Sequence, residues 1–238
     1  MISERILLNE TNMLLKCDIR EGIKKAVQEV KRHRKLLEGY IAQDPFFLLT
    51  LSPYFPKNGP KIANRMANTA SVFQVGPMAA VAGAIADVAA EAMKSANAHT
   101  AIAANGGDIS IKSKTETTVG IYAGDIPLSG KIGFRLRAQD LPAGVCTSSG
   151  KIGPSISFGD AHAVTVVARD AIVADAAATA IGNRVKEKDP EKSIQSALEY
   201  AEPIKEVMGC LILAGNFVGR TGRLPEIIEI ESLNLAEV

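Results

Sequence analysis

The 238-residue chain has 27 basic and 26 acidic residues, a formal net charge of +1, and 47% hydrophobic residues. This composition is typical of a globular protein with a substantial core, and the balanced charge argues against a broad nucleic-acid-binding surface. The three cysteines (Cys17, Cys146 and Cys210) are far apart and form neither a disulfide framework nor a CxxC pattern, which favours a reducing compartment.

The least polar stretch of the chain is too short to predict a membrane helix. It covers residues 75–86, which is 12 residues, whereas a bilayer span needs ~20. The first five residues have mixed charges and lack the apolar core of a signal peptide. We therefore expect a cytoplasmic protein without a membrane or nucleic-acid partner. No linker-like stretch divides the chain, so one domain over residues 1–238 is expected.

The N-terminal part predicts a strand followed by a long amphipathic helix. The strand ends at residues 13–17, and Asp18 and Glu21 then have the spacing of a capping box. Apolar residues at helical spacing continue to about Gln43, and Asp44-Pro45 follows as a stop signal.

Two features of this region have more than one interpretation. The basic run at residues 31–35 lies within the helical pattern and is interpreted as a solvated face, with contact to phosphate as the alternative. Residues 44–60 contain four prolines and a cluster of aromatics. They predict a loop long enough to be a lid or an oligomer contact, so a homo-oligomer remains open.

The rest of the chain predicts short strands mixed with Ala-rich helices. The predicted helices cover 76–97, 170–181 (capped by Asp170) and 190–207, and a loop is predicted at 142–159. Strands are predicted at 100–104, 109–111, 119–123, 133–138, 162–168, 210–213, 217–218 and 225–230. Residues 84–90 resemble residues 172–178, either as a pseudo-repeat or through shared Ala-rich composition.

Two glycine-containing segments are candidate ligand sites. In Asn105-Gly106-Gly107-Asp108, paired glycines would let backbone N–H groups approach a phosphate, although a plain tight turn has the same sequence. In Cys146-Thr147-Ser148-Ser149-Gly150, three hydroxyls can donate to an anionic oxygen, but many loops are rich in serine. Cys146 is a candidate nucleophile, with a small buried hydrophobe as the alternative.

Asp175 and Thr179 are the third candidate. Their i, i+4 spacing puts both oxygens on one helix face, and a carboxylate beside a hydroxyl suits Mg²⁺. The alternative is a Thr that bonds back to the carbonyl of residue 175, with a solvated Asp175.

The order of these segments resembles the ApbE family of FAD:protein FMN transferases. The most specific part is the string Val164-Thr165-Val166-Val167-Ala168 followed by Ala174-Asp175-Ala176-Ala177-Ala178-Thr179-Ala180, and the resemblance covers residues 78–183. It implies an ApbE-like, T-fold-like α+β fold with mixed or antiparallel sheets packed against Ala-rich helices.

The resemblance also implies an activity. In the family, the corresponding Asp and Thr hold Mg²⁺, so Asp175 and Thr179 would be metal ligands. The glycine turn and the Thr-Ser-Gly segment lie against the flavin nucleotide. The enzyme splits the FAD pyrophosphate and moves FMN to a Thr hydroxyl of an acceptor protein. Mg²⁺, FAD and an acceptor protein are therefore expected, with Asp175 as a catalytic residue.

The sequence also departs from the family pattern. Ala82-Gly83 stands where the family has Lys-Gly, and the family's His-containing segment is absent between residues 150 and 161. His162 is the nearest substitute for that histidine. These departures match a shorter ApbE-like branch that shares Cys-Thr-Ser-Ser-Gly and has been linked with sulfide assimilation toward homocysteine. Cys146 is therefore a second catalytic candidate, and a non-catalytic nucleotide-binding protein is a third hypothesis.

Overall fold

The computed structural model describes residues 1–151 and 158–231, which form three layers. Two antiparallel sheets make up two of the layers, one of eight strands in the order β1-β2-β3-β4-β7-β8-β9-β10 and one of three in the order β11-β6-β5. The strands are β1 (Ile2–Leu8), β2 (Thr11–Cys17), β3 (Ala101–Asn105), β4 (Asp108–Lys112), β5 (Thr117–Gly120), β6 (Ile132–Leu136), β7 (Ala143–Ser148), β8 (Ala163–Ala168), β9 (Val207–Ala214), β10 (Phe217–Gly222) and β11 (Glu226–Glu229).

Helices form the third layer and pack on one face of the large sheet. They are α1 (Arg20–Gln43), α2 (Phe46–Leu49), α3 (Lys61–Val72), α4 (Val81–Ser95), α5 (Ala171–Gly182) and α6 (Pro190–Ala201), with 3-10 turns at Pro77–Ala80 and Ala138–Asp140. Because side chains alternate along a strand, Cys146 in β7 faces the helices while Val145 faces the small sheet. The large sheet therefore has two hydrophobic cores, one on each face.

The α+β class with antiparallel sheets and Ala-rich helices is confirmed. The long predicted helix is α1, which ends at Gln43 as expected, with Asp44 as its C-cap. The predicted capping role of Asp18 is wrong. The N-cap residue is Ile19, and no side chain caps the helix. Instead the Asp18 carboxylate accepts hydrogen bonds from the amides of His99 and Thr100, at 3.0 and 3.1 Å.

Other elements also differ from the prediction. The helix predicted at 190–207 is α6, which ends at Ala201, and Val207 already begins β9. The predicted loop at 142–159 is wrong for its first part, because residues 143–148 form the buried strand β7; its residues 152–157 lie outside the described residues. Strand β1, which forms a hairpin with β2, and helix α3 were not expected. In β7 the Gly, Ser and Thr content suggests a loop, but layers on both sides bury the strand.

The region 44–60 contains helix α2 and two side-chain hydrogen bonds to Asp44. The Asp44 carboxylate accepts hydrogen bonds from the hydroxyls of Tyr40 (2.7 Å) and Tyr54 (2.9 Å). Several large apolar side chains of this region remain exposed, namely Phe46, Leu48, Leu49, Leu51 and Phe55.

Among the described residues, no single helix has both the length and the apolar character needed to cross a bilayer. Lys61–Val72 and Pro77–Ser95 meet the criteria only when taken as a pair, and that pair is bent by 100°.

Gly144 shows how closely β7 packs against α5. A Cβ atom at this position would lie 2.3 Å from the carbonyl carbon of Asp170 and 2.4 Å from the amide nitrogen of Ala171, both backbone atoms. We expect Gly144→Ala to lower the free energy of unfolding by about 1–3 kcal/mol in chemical denaturation. Gly39→Ala, at an exposed position of α1 with no atom within 4 Å, is the control and should raise it by about 0.5–1 kcal/mol. Equal effects of the two changes would contradict this packing.

Candidate active site

The buried carboxylate of Asp87 joins three elements. It lies on α4, is 0% exposed, and accepts hydrogen bonds from the Ser110 hydroxyl on β4 (2.7 Å) and from the first amides of α5, Ala171 (3.1 Å) and Ile172 (3.0 Å). A negative group at the N-terminus of a helix satisfies free N–H groups and interacts favourably with the helix dipole. Asp87 therefore caps α5. The expected cap, Asp170, makes no side-chain capping bond.

Asp175, on α5, makes the corresponding interaction with the start of α4. Its Oδ2 atom accepts a hydrogen bond from the Gly83 amide (2.8 Å), and the Ala82 amide also bonds to its carboxylate. Each helix thus supplies a carboxylate to the first turn of the other. The two helices meet closely at Gly83, where a Cβ atom would lie 2.3 Å from the carbonyl oxygen of Ala171.

Asp108 and Asp175 form a carboxylate pair on the helix side of the large sheet. Burial raises the pKa of Asp108 to about 7, with contact to the Cys146 thiol as a smaller, opposing effect. Burial raises the pKa of Asp175 well above its usual value, and the charge of Asp108 raises it further, while the amides of Gly83 and Ala82 oppose the shift. Without a bound cation, both carboxylates therefore take up a proton at a higher pH than an exposed Asp does.

Cys146 lies beside this pair and is completely buried. Its Sγ atom donates to the carbonyl oxygen of Ala171 at 3.2 Å. Burial, followed by the charges of Asp108 and Asp175, raises the pKa of Cys146 well above its usual value. The residue is a protonated thiol at neutral pH, and thiols react as nucleophiles in the thiolate form.

The carboxylate pair fits a divalent cation of the magnesium type. Two carboxylates that repel each other offer the hard oxygen ligands that Mg²⁺ prefers, and Mg²⁺ usually takes only one or two protein carboxylates besides water and substrate phosphates. Thr179 lies one turn beyond Asp175 on α5 and is partly exposed. Within residues 1–151 and 158–231, no group of three or more His, Cys, Asp and Glu side chains is arranged to hold a metal ion.

The predicted glycine turn is the connection between β3 and β4. Gly106 has a φ of 61°, in the left-handed region that favours glycine, and both Gly106 and Gly107 are exposed. The side-chain amide of Asn105 donates to the carbonyl oxygen of Ala82 at 3.3 Å, which ties the turn to the start of α4. The turn therefore leads directly into the strand that carries Asp108.

The predicted hydroxyl segment is divided between the two faces of β7. Thr147 forms a hydroxyl–hydroxyl bond of 2.9 Å with Thr165, and the Ser149 hydroxyl accepts from the amide of Lys151 at 3.1 Å. Ser148 faces α5, since its Oγ atom lies 3.7 Å from the position of a Cβ atom on Gly182. Gly150 pairs with the neighbouring segment through its amide, which donates to Ala161. Of the three hydroxyls, Ser148 is the one turned toward the α5 side.

His162 is engaged away from the carboxylate pair. Its Nδ1 atom accepts a hydrogen bond from the amide of Gly215 at 3.1 Å, in the turn between β9 and β10. The proton of the neutral ring is therefore on Nε2. The structure brings Asp108, Cys146 and Asp175 together and holds His162 against this other turn.

Sequence reasoning missed Asp87 and Ser110 as parts of the site. One signal for Asp87 was available, because the two similar segments 84–90 and 172–178 both contain an Asp after Ala, namely Asp87 and Asp175. These segments lie in α4 and α5, the helices that exchange carboxylates. Ser110 had no such signal, since its role arises only when β4 packs against α4.

Comparison with known sequences identifies related proteins over nearly the whole chain. Residues 4–203 match the sequence family described as "AbpE bacteria". A UPF0280 protein of Methanocaldococcus jannaschii is 42% identical over 234 residues, which cover 96% of this chain and 93% of that protein. A UPF0280 protein of Methanopyrus kandleri is 43% identical over 234 residues, with coverages of 97% and 94%.

Solved structures with the same fold have little sequence identity to this chain. The flavinyl transferase ApbE of Pseudomonas stutzeri has a TM-score of 0.59 and 13% identity, covering 92% of this chain and 94% of that one. The ApbE protein of Thermotoga maritima has a TM-score of 0.55 and 14% identity, covering 97% of both chains. The likeness establishes an ApbE-like fold.

The capping role of Asp87 gives a stability prediction. In Asp87→Asn, the side-chain NH₂ group cannot accept, so at least one buried donor loses its partner, and we expect a loss of about 3 kcal/mol in the free energy of unfolding. Asp189→Asn is the matched control, because Asp189 caps α6 at the surface and Asn is an equally good cap. Urea denaturation measures both, and a loss below 1 kcal/mol for Asp87→Asn would contradict the role.

The carboxylate pair gives a pH prediction. The folded state holds a proton on Asp108 up to a pKa of about 7, whereas the unfolded chain releases it near the ordinary aspartate pKa of 3.8. The native state binds more protons in this window, so the contribution of Asp108 makes metal-free stability fall as pH rises from about 4 to about 7. The difference in melting temperature between the wild type and Asp108→Asn, measured from pH 4 to 8, should show this trend. A pH-independent difference would refute it.

Proposed function

The chain belongs to the family described as "AbpE bacteria", and on that premise we propose that it binds a flavin dinucleotide with a divalent cation and cleaves or transfers at its pyrophosphate. The observation that carries the proposal is the carboxylate pair of Asp108 and Asp175. Burial disfavours the charged form of both acids, so either protonation or a bound cation must stabilise them. The structural neighbour from Pseudomonas stutzeri is a flavinyl transferase by name.

Each residue of the site would have a separate role that follows from its position. Asp175 and Asp108 would hold the cation, with Thr179 on the next turn of α5. Asp175 is fixed for this role because the amides of Gly83 and Ala82 orient its carboxylate. A bound cation would lower the pKa of both acids, and Asp108 and Asp175 would then hold it as carboxylates.

The nucleotide phosphates would lie between the glycine turn and the partly exposed side of α5 that carries Asp175 and Thr179. Gly106 and Gly107 have no side chains to exclude a ligand, so their backbone can approach phosphate oxygens closely. Ser148 would add a hydroxyl donor from β7. A bound Mg²⁺ would neutralise charge on the bridging phosphates and so stabilise the leaving nucleotide. An FMN group freed in this way would pass to water or to the hydroxyl of an acceptor protein.

A sulfur-transfer role for Cys146 is the second hypothesis, and the geometry favours it less. The thiol lies beside the carboxylate pair, which places it in the same site. However, its complete burial and raised pKa leave it protonated at neutral pH, so a sulfur acceptor would need prior opening of the site.

Incubation of the protein with FAD and MgCl₂, followed by chromatography of the products, tests the proposal. We expect release of AMP and FMN that EDTA abolishes, because the phosphates need the cation. Asp175→Asn and Asp108→Asn should each lower the rate at least 100-fold, since each removes one negative ligand. Cys146→Ser should retain activity if the thiol takes no part.

Asp189→Asn is the control, because this residue caps the distant helix α6. FAD binding without AMP release, measured by flavin fluorescence, would overturn the transfer reaction and leave a nucleotide-binding protein. Equal rates for the wild type and Asp175→Asn would show that the pair does not hold the cation.

A further inference from the structure

A cavity lies between helices α1, α3 and α4, and we call it the helix cleft. Its volume is about 340 Å³, and it is lined by Arg32 and His33 of α1, Lys61 and Arg65 of α3, and Val88 and Glu91 of α4 among others. The α4 residues of the cleft lie on a different face of that helix from Gly83 and Asp87. The helix cleft is therefore separate from the carboxylate pair.

Positive charge converges on the helix cleft from two of its three helices. Arg32 forms an ion pair with Glu29, with Nη2 2.6 Å from Oε2, and Arg65 forms one with Glu91 at 3.3 Å. These pairs fix the two guanidinium groups but leave further N–H donors free. Lys61 has no ion-pair partner among the described residues, so the lining has one uncompensated positive charge when His33 is neutral.

His33 lies between the two ion pairs and has an unusual hydrogen-bonding state. Its Nε2 atom is 2.7 Å from Nη2 of Arg32, and since arginine can only donate, Nε2 is the acceptor. Burial lowers the pKa of His33, so the ring is neutral and its proton is on Nδ1. Nδ1 is the one buried side-chain nitrogen or oxygen atom of the described residues that has no partner. An unpaired buried donor is unfavourable, which points to a missing acceptor in this place.

The floor of the helix cleft is apolar. Ile62 and Ala84 are each 2% exposed, and Val88 and Ala92 are each 6% exposed. Cavities that bind small molecules are typically about 300–1,000 Å³ and combine apolar walls with a few placed polar groups. The helix cleft has both the size and this division between floor and rim.

We propose that the helix cleft is a binding site for a small organic anion, with its acidic oxygens between Arg32, Lys61 and Arg65 and its apolar part on the floor. The single uncompensated charge suits a monoanionic head such as a carboxylate. This site does not depend on the proposed flavin reaction.

Isothermal titration with simple probes tests the proposal. Hexanoate has both the acidic head and the apolar body, acetate has only the head, and hexan-1-ol lacks the charge. We expect saturable binding of hexanoate, at least tenfold tighter than either of the other two probes. Inorganic phosphate is a further arm, and tighter binding of phosphate than of hexanoate would overturn the assignment of an apolar body.

Charge-matched double variants locate the site. Lys61→Gln with Arg65→Gln should weaken hexanoate binding at least tenfold. The control is Arg135→Gln with Arg223→Gln, which removes the same charge from another basic cavity, of about 240 Å³, on the small-sheet side. Thermal denaturation without ligand confirms that both variants fold. No difference between the two variants, or no preference for hexanoate over acetate, would overturn the proposal.

Discussion

The exchange of carboxylates between α4 and α5 is the interaction on which the site depends. Asp87 binds the first amides of α5, and Asp175 binds the first amides of α4, so each helix fixes where the other begins. Since Asp87 also accepts from Ser110 on β4, the exchange sets both helices against the strand that carries Asp108. Gly83 completes the arrangement, because no larger residue fits at the helix crossing.

The amides compensate these buried charges only in part. Asp87 receives three hydrogen bonds, and yet burial still raises its pKa. Asp108 and Asp175 receive fewer hydrogen bonds, and burial raises their pKa values more strongly. Buried carboxylates in folded proteins are normally paired with a basic side chain. Here the charge that would balance the carboxylate pair is left to a proton or a bound cation, and this imbalance links the helix packing to the proposed chemistry.

The sequence predicts the parts of this structure that depend on local patterns. The end of α1 at Gln43, the glycine turn after β3 and the span of α5 follow from periodicity and turn residues. The i, i+4 spacing also predicts that Asp175 and Thr179 lie on the same face of α5. Long-range contacts decide the rest. Asp18 and Asp170 look like caps locally, but Asp18 binds the amides of His99 and Thr100 instead, and Asp87 rather than Asp170 caps α5. Likewise, β7 is a strand because two layers bury it. Which acids would face each other could not be derived without the sheet order.

The carboxylate pair also has a consequence for stability. Asp108 and Asp175 are each partly buried and repel each other, so an amide in place of either one would remove the repulsion. A cation bound as proposed would remove the same repulsion while keeping both acids, so the bound form would gain stability that the free form lacks.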